Sequence, residues 1–268
     1  MKRSEIKMLV ITGFGLNCEK ETAAAGKLAG MNAEQIHLNE LLAGERKLDE
    51  FQMLAFIGGF SFGDHLGSGT VFANRVKFNL RDQLQKFVDD GKLVIGICNG
   101  FQTLTRLGMV PALNGDYFTQ TSALAHNDSG VFRDDWCVLK ANPASPCVFT
   151  RNIDTVRLPL RHGEGKFVAA PEVLAEIEKR NLVAVRYANA DGSLATEFPA
   201  NPNGSLNSIA GICDTTGRIF GLMPHPEAFL SAYNAPDWTR QAACGNVPAE
   251  GDGVAFFRNA ADYLEQNF

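Results

Sequence analysis

Cys98 stands where an apolar stretch changes abruptly into a helix-forming one. The sequence runs Leu93-Val-Ile-Gly-Ile-Cys98-Asn-Gly-Phe-Gln102, so Gly96 and Gly100 flank the cysteine at two residues on either side. This is the spacing of a nucleophile elbow, in which small neighbours let a strained turn push the nucleophile out of a sheet. A thiol there lies at a helix N-terminus, which favours the thiolate. The pattern predicts a catalytic cysteine; the competing interpretation is a buried cysteine before a turn.

His225 is the histidine best placed to move a proton for such a thiolate. It lies in Met223-Pro-His-Pro-Glu227, where Pro226 favours an extended conformation at His225. Residues two apart in an extended segment point to the same side, so the Glu227 carboxylate can lie beside the imidazole and fix its tautomer. The segment predicts an acid–base pair; the alternative is a rigid loop with a solvated acid and base.

Two glycine-rich turns also follow predicted strands. The turn Gly58-Gly-Phe-Ser-Phe-Gly-Asp64 can present free backbone amides to a developing oxyanion, or can be a flexible surface turn. The turn Gly13-Phe-Gly-Leu-Asn-Cys18 comes close to a dinucleotide fingerprint, but Cys18 takes the place of the third glycine. Nucleotide binding is therefore not predicted there, and no P-loop pattern occurs in the chain.

The composition is that of a globular protein. The chain has 268 residues, of which 45% are hydrophobic and 21% charged, and its formal net charge is -5. This length is ample for a large core, and the negative charge argues against nucleic acid as a partner. The six cysteines include no CxxC pair and have no histidine nearby at metal-ligand spacing, so no metal site is predicted.

The N-terminus has basic residues followed by an apolar stretch, which raises the question of a secretory signal. The apolar run from Met8 to Leu16 is interrupted by Gly13 and Gly15 and leads into charged residues rather than a cleavage site. No stretch approaches the roughly 20 apolar residues of a membrane span. We therefore expect a soluble, cytoplasmic protein with no membrane partner.

The first half of the chain predicts alternating strands and helices. The predicted strands are 7–12, 34–38, 53–57 and 93–97, and the predicted helices are 19–29, 40–42, 71–90 and 100–107. This alternation indicates an α/β fold whose mostly parallel central sheet has helices on both faces. Ligands in such sheets gather at the carboxyl ends of the strands. Those ends are the turns 13–18, 58–64 and 98–102, so the candidate groups are expected at one edge of the sheet.

The second half is less regular and predicts an antiparallel extension. The predicted strands are 131–140, 155–160, 182–187, 208–214 and 219–223, and the predicted helices are 171–180 and 255–266. The segment 214–219 is typical of a hairpin turn, and 201–205 of a turn-rich insertion. No internal repeat is present, and we expect residues 1–268 to form a single domain.

Taken together, Gly-Ile-Cys98-Asn-Gly-Phe-Gln102 and Pro-His225-Pro-Glu227 resemble the class I, triad-type glutamine amidotransferases. More narrowly, the chain resembles the glutaminase family of phosphoribosylformylglycinamidine synthase, which serves purine biosynthesis. The narrower resemblance rests on segments that follow in order along nearly the whole chain: Gly15-Leu-Asn-Cys18, Gly58-Gly-Phe-Ser-Phe-Gly-Asp64, His162-Gly-Glu-Gly165, Asn201-Pro-Asn-Gly-Ser205 and Ala210-Gly-Ile212.

The resemblance implies a covalent mechanism. Cys98 attacks the side-chain amide of glutamine, and His225, held by Glu227, protonates the departing ammonia and then activates water against the thioester. An amide nitrogen is a poor leaving group, so help from a general acid matters as much as the nucleophile. The triad Cys98, His225 and Glu227 is therefore the predicted catalytic set.

Four further residues are predicted around this triad. The backbone amides of Gly59 and Asn99 are expected to form the oxyanion hole, and Phe60 and Gln102 to help hold the substrate. The register of Gly59 against Phe60 is left open by the sequence.

The chain departs from the usual family pattern at positions expected near the partner rather than in the triad. This chain has Leu16 where the family usually has threonine, Phe62 where it usually has tyrosine, and Lys166 and Ala228 where it usually has arginine. His162 and Glu164 can serve at the same mouth or shape a turn, and their flanking glycines favour the turn.

The resemblance also implies where the ammonia goes. This chain is expected to hold no cofactor, while a large synthetase subunit uses ATP and Mg²⁺, with a small third subunit as a further candidate partner. Two other hypotheses stay open: a glutaminase for another biosynthetic acceptor, and a redox sensor whose elbow cysteine is oxidised rather than acylated.

Overall fold

The computed structural model describes residues 1–268, which form eleven strands and seven α-helices. The strands are β1 Lys7–Thr12, β2 Asn32–His37, β3 Met53–Phe56, β4 Leu93–Ile97, β5 Ser122–Ala125, β6 Arg133–Ala141, β7 Thr155–His162, β8 Lys166–Ala169, β9 Val183–Ala188, β10 Ile209–Cys213 and β11 Ile219–Leu222. The helices are α1 Glu19–Leu28, α2 Leu38–Leu42, α3 Thr70–Asp89, α4 Asn99–Leu107, α5 Pro171–Lys179, α6 Trp238–Ala243 and α7 Val254–Asn267.

Nine strands form one mixed sheet in the order β2-β1-β3-β4-β11-β10-β9-β6-β7. The pairs from β2 to β11 are parallel, and the pairs from β11 to β7 are antiparallel. The predicted fold class is thus confirmed, with the antiparallel extension on the β11 side of the parallel half. One continuous hydrophobic core runs through this arrangement from Ile6 to Leu264.

The central strands β3 and β4 are buried at every position, as strands covered on both faces must be. Helix α3 covers this region with an apolar stripe at every fourth residue, from Phe72 through Val76 and Leu80 to Leu84. It begins after Gly69, which adopts a left-handed conformation with φ of 73°. Because sequence periodicity fixes these elements locally, their predicted and observed bounds agree within two residues.

The antiparallel half bends back toward the carboxyl ends of the parallel strands. Its last strand, β7, is four places from β11 in the sheet, yet the Pro159 carbonyl accepts a hydrogen bond of 2.8 Å from the His225 amide. The edge strand therefore forms one wall of the region where the predicted catalytic residues lie.

Three elements were not predicted from the sequence: β5, β8 and α6. Strands β5 and β8 pair with each other as a separate antiparallel sheet of four residues each. The predicted hairpin at 214–219 is confirmed, since the Asp214 amide donates to the Ile219 carbonyl. None of the helices combines the length and hydrophobicity needed to cross a membrane.

Candidate active site

Cys98 lies in the strained turn between β4 and α4. Its backbone has φ of 52° and ψ of -107°, in a region that non-glycine residues rarely occupy. A Cβ on Gly100 would lie 1.9 Å from the Phe56 carbonyl oxygen, and one on Gly96 would lie 2.5 Å from a Leu104 methyl carbon. The two glycines are therefore required for the close packing of helix on strand, and the elbow geometry is present.

His225 is brought to Cys98 by the pairing of two neighbouring strands. Strands β4 and β11 are parallel, with Ile97 opposite Leu222. Cys98 follows β4 directly, and its amide donates to the Leu222 carbonyl at 2.9 Å. Main-chain hydrogen bonds at the centre of the sheet thus place the thiol beside the histidine segment.

Glu227 orients the imidazole of His225. The Nδ1 atom of His225 lies 2.6 Å from Oε1 of Glu227, and both side chains are buried. With Nδ1 held by the carboxylate, Nε2 is the ring atom left for proton transfer, and it has no hydrogen-bond partner within the protein. The structure therefore brings the three predicted triad residues together.

The protonated form of His225 is stabilised despite its burial. Burial acts to lower the pKa, but the negative charges of Glu227 and of the Cys98 thiolate, with further contacts from both nearby thiols, raise it well above its usual value. Protonation therefore persists to higher pH than for a free histidine. An imidazolium beside the sulfur is suited to donate a proton to a departing amine.

The Gly59 and Asn99 amides are free to bind an oxyanion. Neither N–H donates a hydrogen bond within the protein, whereas the Phe60 amide donates to the Gly15 carbonyl at 3.0 Å. This difference favours Gly59 over Phe60 as the amide donor, the point that the sequence left open. Gly59 has φ of 142°, and a Cβ there would lie 2.6 Å from Leu16 Cα, so a side chain is excluded.

Gln102 ties the elbow helix to the loop after β7. Its Nε2 atom donates to the Glu164 carbonyl at 2.6 Å, and its Oε1 atom accepts from Asn99 Nδ2 at 3.0 Å. Asn99 Nδ2 also lies 3.2 Å from Oδ1 of Asp64. Gln102 therefore has one side-chain N–H left for a substrate. Its other side-chain hydrogen bonds hold neighbouring residues in place.

A cavity of about 280 Å³ opens above Cys98. Its lining includes the predicted Gly59, Phe60 and Gln102. It also includes His162 and Glu164, for which the sequence favoured a turn over a role at this mouth, and the residues Asp64, Ser68, His126 and Arg161, which had no predicted role. The carboxylates of Asp64 and Glu164 lie near each other in this lining. Burial and the negative charge of Glu164 raise the pKa of Asp64. In the sequence, both residues stood out only as members of glycine-containing segments that carry the family resemblance.

His162 ends strand β7 and is buried in the cavity wall, so the predicted turn is confined to the residues after it. Its Nε2 atom lies 3.0 Å from Nδ2 of Asn203 in the 201–205 loop. Burial, together with the charges of His225 and Arg133, lowers the pKa of His162 to about 3. His162 is therefore neutral near pH 7.

This buried neutral histidine predicts a loss of stability in acid. Between about pH 6.5 and pH 3 the unfolded chain binds a proton at residue 162 that the folded chain does not, so stability falls as the pH falls. The contribution is at most about 1.4 kcal/mol per pH unit. In urea unfolding at several pH values, His162→Gln should flatten this dependence. His126→Gln, at an exposed site, serves as control; equal slopes in parent and His162→Gln would contradict the assignment.

The fold and the arrangement of the site are those of a glutamine amidotransferase, and the chain belongs to this family. The profile of the CobB/CobQ-like glutamine amidotransferase domain matches residues 5–264, which is nearly the whole chain.

Within this family, the similar proteins point to one kind of subunit. The chain is 46% identical to phosphoribosylformylglycinamidine synthase subunit PurQ of Dehalococcoides mccartyi, over 98% of this chain and 99% of the relative. It is 41% identical to subunit PurQ of Methanococcus maripaludis strain S2, over 97% and 98% of the two chains. A chain in the structure of PurLQS from Thermotoga maritima superposes with a TM-score of 0.71 at 27% identity, covering 97% of this chain and 99% of that one. The narrower family is therefore that of the PurQ subunits.

Proposed function

We propose that this chain is the glutaminase subunit of phosphoribosylformylglycinamidine synthase. It hydrolyses glutamine to glutamate and ammonia, and the ammonia passes to an ATP-dependent synthetase that amidates formylglycinamide ribonucleotide in purine biosynthesis. The observation that carries this proposal is the elbow Cys98 beside a histidine whose Nδ1 lies 2.6 Å from Glu227, at the floor of a cavity. The similar proteins supply the acceptor and the partner through their names.

The chemistry follows from these groups. The Cys98 thiolate attacks the side-chain amide carbon, and the Gly59 and Asn99 amides stabilise the oxyanion. His225 gives the Nε2 proton to the leaving nitrogen as the C–N bond breaks, which leaves a thioester. The now neutral His225 then takes a proton from water, whose oxygen attacks the thioester and releases glutamate.

The cavity suits the amino-acid end of glutamine. Glu164 and Asp64 provide negative charge for the α-ammonium group, and Glu164 is itself held by the Ser68 amide at 3.3 Å. Arg161 is another lining residue, and its buried Nη2 atom has no hydrogen-bond partner within the protein; we assign it to the α-carboxylate. This pairing of charges supports a zwitterionic substrate.

The mouth of the cavity supports a protein partner. Phe60, Val131 and Phe132 line it and are each about half exposed, at 47%, 58% and 50%. Clustered apolar side chains on a surface are typical of an interaction site. We assign them to contact with the large synthetase subunit, which uses ATP and Mg²⁺, and we expect a small third subunit in the assembly. This chain itself needs no cofactor for the reaction.

We place this activity in the cytoplasm. All six cysteines are free thiols, including the exposed Cys244, as expected for a protein that works in a reducing compartment.

Isotope transfer tests the proposal directly. The chain is mixed with the large and small subunits, ATP, Mg²⁺, formylglycinamide ribonucleotide and glutamine carrying ¹⁵N in its amide, in the presence of unlabelled ammonium. We expect ¹⁵N in the amidine product despite the unlabelled pool, measured by mass spectrometry. Hydrolysis of glutamine without ¹⁵N transfer would instead favour a glutaminase for another acceptor.

A further inference from the structure

The turn that carries the Gly59 amide is joined to the turn after β1. The Asn17 amide donates to the Gly58 carbonyl at 3.2 Å, and the Phe60 amide donates to the Gly15 carbonyl at 3.0 Å. These two hydrogen bonds lie on either side of Gly59 along the chain. The direction of the free Gly59 N–H therefore depends on how the two turns are held against each other.

Phe14 and Phe62 add a third contact between the same turns. The Phe62 amide donates to the Phe14 carbonyl at 2.7 Å, and the two rings stack with centroids 4.4 Å apart and planes 17° apart. Phe14 has φ of 57° and Phe62 has φ of 55°, in the left-handed region that non-glycine residues rarely occupy. Because such a backbone costs free energy, it persists only where surrounding contacts hold it. This aromatic pair, Phe14 and Phe62, provides contacts of that kind.

Arg75 of helix α3 lies against both rings of the aromatic pair. Its guanidinium carbon is 4.8 Å from the centroid of the Phe14 ring and 5.9 Å from that of the Phe62 ring. A guanidinium within about 6 Å of an aromatic centroid is attracted to the ring. Arg75 is not among the residues that line the cavity. A long helix therefore supports the aromatic pair from outside the site.

We propose that Arg75 is a positioning residue, which keeps the Gly59 amide directed at the oxyanion by holding the aromatic pair in place. An oxyanion donor acts only near its hydrogen-bonding position, and loss of one such donor costs about 10²- to 10³-fold in kcat. Loosening the two turns displaces this donor without removing it. The inference rests on the proposed function and adds to it a residue that touches neither the substrate nor the triad.

No sequence pattern connects Arg75 with the site. The turn after β1, the turn after β3 and helix α3 are separate segments, and each is explained locally by its glycines or by its apolar stripe. Their contact arises only because the carboxyl ends of β1 and β3 are neighbours in the sheet.

The kinetic test uses the complex with the large and small subunits. Arg75→Ala should lower kcat for glutamine hydrolysis by about 10- to 10²-fold, since displacement of a group by about 1 Å has effects of this size, while KM stays within about twofold. Amidation from ammonium salts should continue at the parent rate. Arg81→Ala is the matched control: Arg81 lies on the same helix, with its guanidinium 5.0 Å from the Phe118 ring, and neither residue lines the cavity.

Two substitutions at Phe62 separate the stacked ring from apolar bulk. Phe62→Tyr keeps the ring and should keep the parent kcat. Phe62→Leu keeps an apolar side chain without a ring, so it should lose kcat as Arg75→Ala does, again with little change in KM. Equal kcat in Phe62→Leu and Phe62→Tyr would contradict the role of the aromatic pair.

Hydrogen exchange of the full chain provides a readout that does not depend on catalysis. Residues 58–62 should exchange their amide hydrogens faster in Arg75→Ala than in the parent or in Arg81→Ala, because their hydrogen bonds to the turn after β1 open more often. Unchanged exchange there, or a raised KM with unchanged kcat, would overturn the proposal. A parent complex that does not hydrolyse glutamine would instead refute the proposed function, and the exchange rates would still test the connection from Arg75 to this turn.

Discussion

Replacement of Cys98 by alanine is expected to reduce glutamine hydrolysis by about 10⁴-fold or more. Without Sγ no thioester forms, and water must then attack an amide whose leaving group is poor. The backbone turn and the neighbouring amides persist, so the cavity and the partner surface remain. In the assembled complex, amidation supplied with ammonium salts should therefore continue near the parent rate, while amidation from glutamine stops.

The matched control is Cys137→Ala, which removes another buried thiol, on strand β6. It should keep glutamine-dependent amidation. Retained hydrolysis in Cys98→Ala would refute the mechanism.

A glutamine-derived electrophile should label Cys98 of the parent with one equivalent. If the electrophile does not label Cys98 but peroxide still oxidises it, the redox-sensor hypothesis is favoured.

Replacement of Glu227 by glutamine is expected to lower kcat by about 10²-fold and to move the alkaline limb of the pH–rate profile to lower pH. The Glu227 carboxylate is a main cause of the raised pKa of His225, because its negative charge favours the imidazolium. With that charge gone, His225 loses its proton at lower pH. The general acid that ammonia departure requires is then lost earlier on the alkaline side.

The measurement is kcat and kcat/KM for glutamine across neutral and alkaline pH. Glu227→Asp keeps the negative charge, so its alkaline limb should lie closer to that of the parent than the limb of Glu227→Gln does. Its kcat should still fall, because the shorter side chain changes the geometry of the pair. An alkaline limb in the same place for Glu227→Gln and the parent would show that the carboxylate acts only as a steric support.

The parallel half of the fold was predictable because each of its elements has a local cause. Strand β4 was predicted at 93–97 from an unbroken apolar run, and it is observed there and fully buried. Helix α4 ends at Leu107, as predicted, and is followed by Gly108, which adopts φ of 73°. The triad was predictable for the same reason, since Cys98 and the Pro-His-Pro-Glu segment each carry a local signature.

The rest of the site depends on contacts between distant segments. Strand β5 is four residues long, and its pairing partner β8 comes more than forty residues later, so no local pattern identifies it. His162 was assigned to a turn from its glycine neighbours, but tertiary contact with Asn203 fixes it in the cavity wall. In the sequence, Cys18 stood out as the residue in place of a motif glycine and as part of the Gly15-Leu-Asn-Cys18 segment, and its place beside His225 appears only once β1 and β11 share a sheet.

The bending back of β7 over the triad has an evolutionary consequence. The reacting groups come from loops at the ends of the parallel strands, whereas Arg161, His162 and Glu164 come from the edge strand and its loop. Substitutions on the edge side can alter what enters the cavity without disturbing the hydrogen bonds that set the elbow. Selection for a new client enzyme or a new metabolic setting can therefore act on one side of the cleft while purifying selection preserves the other.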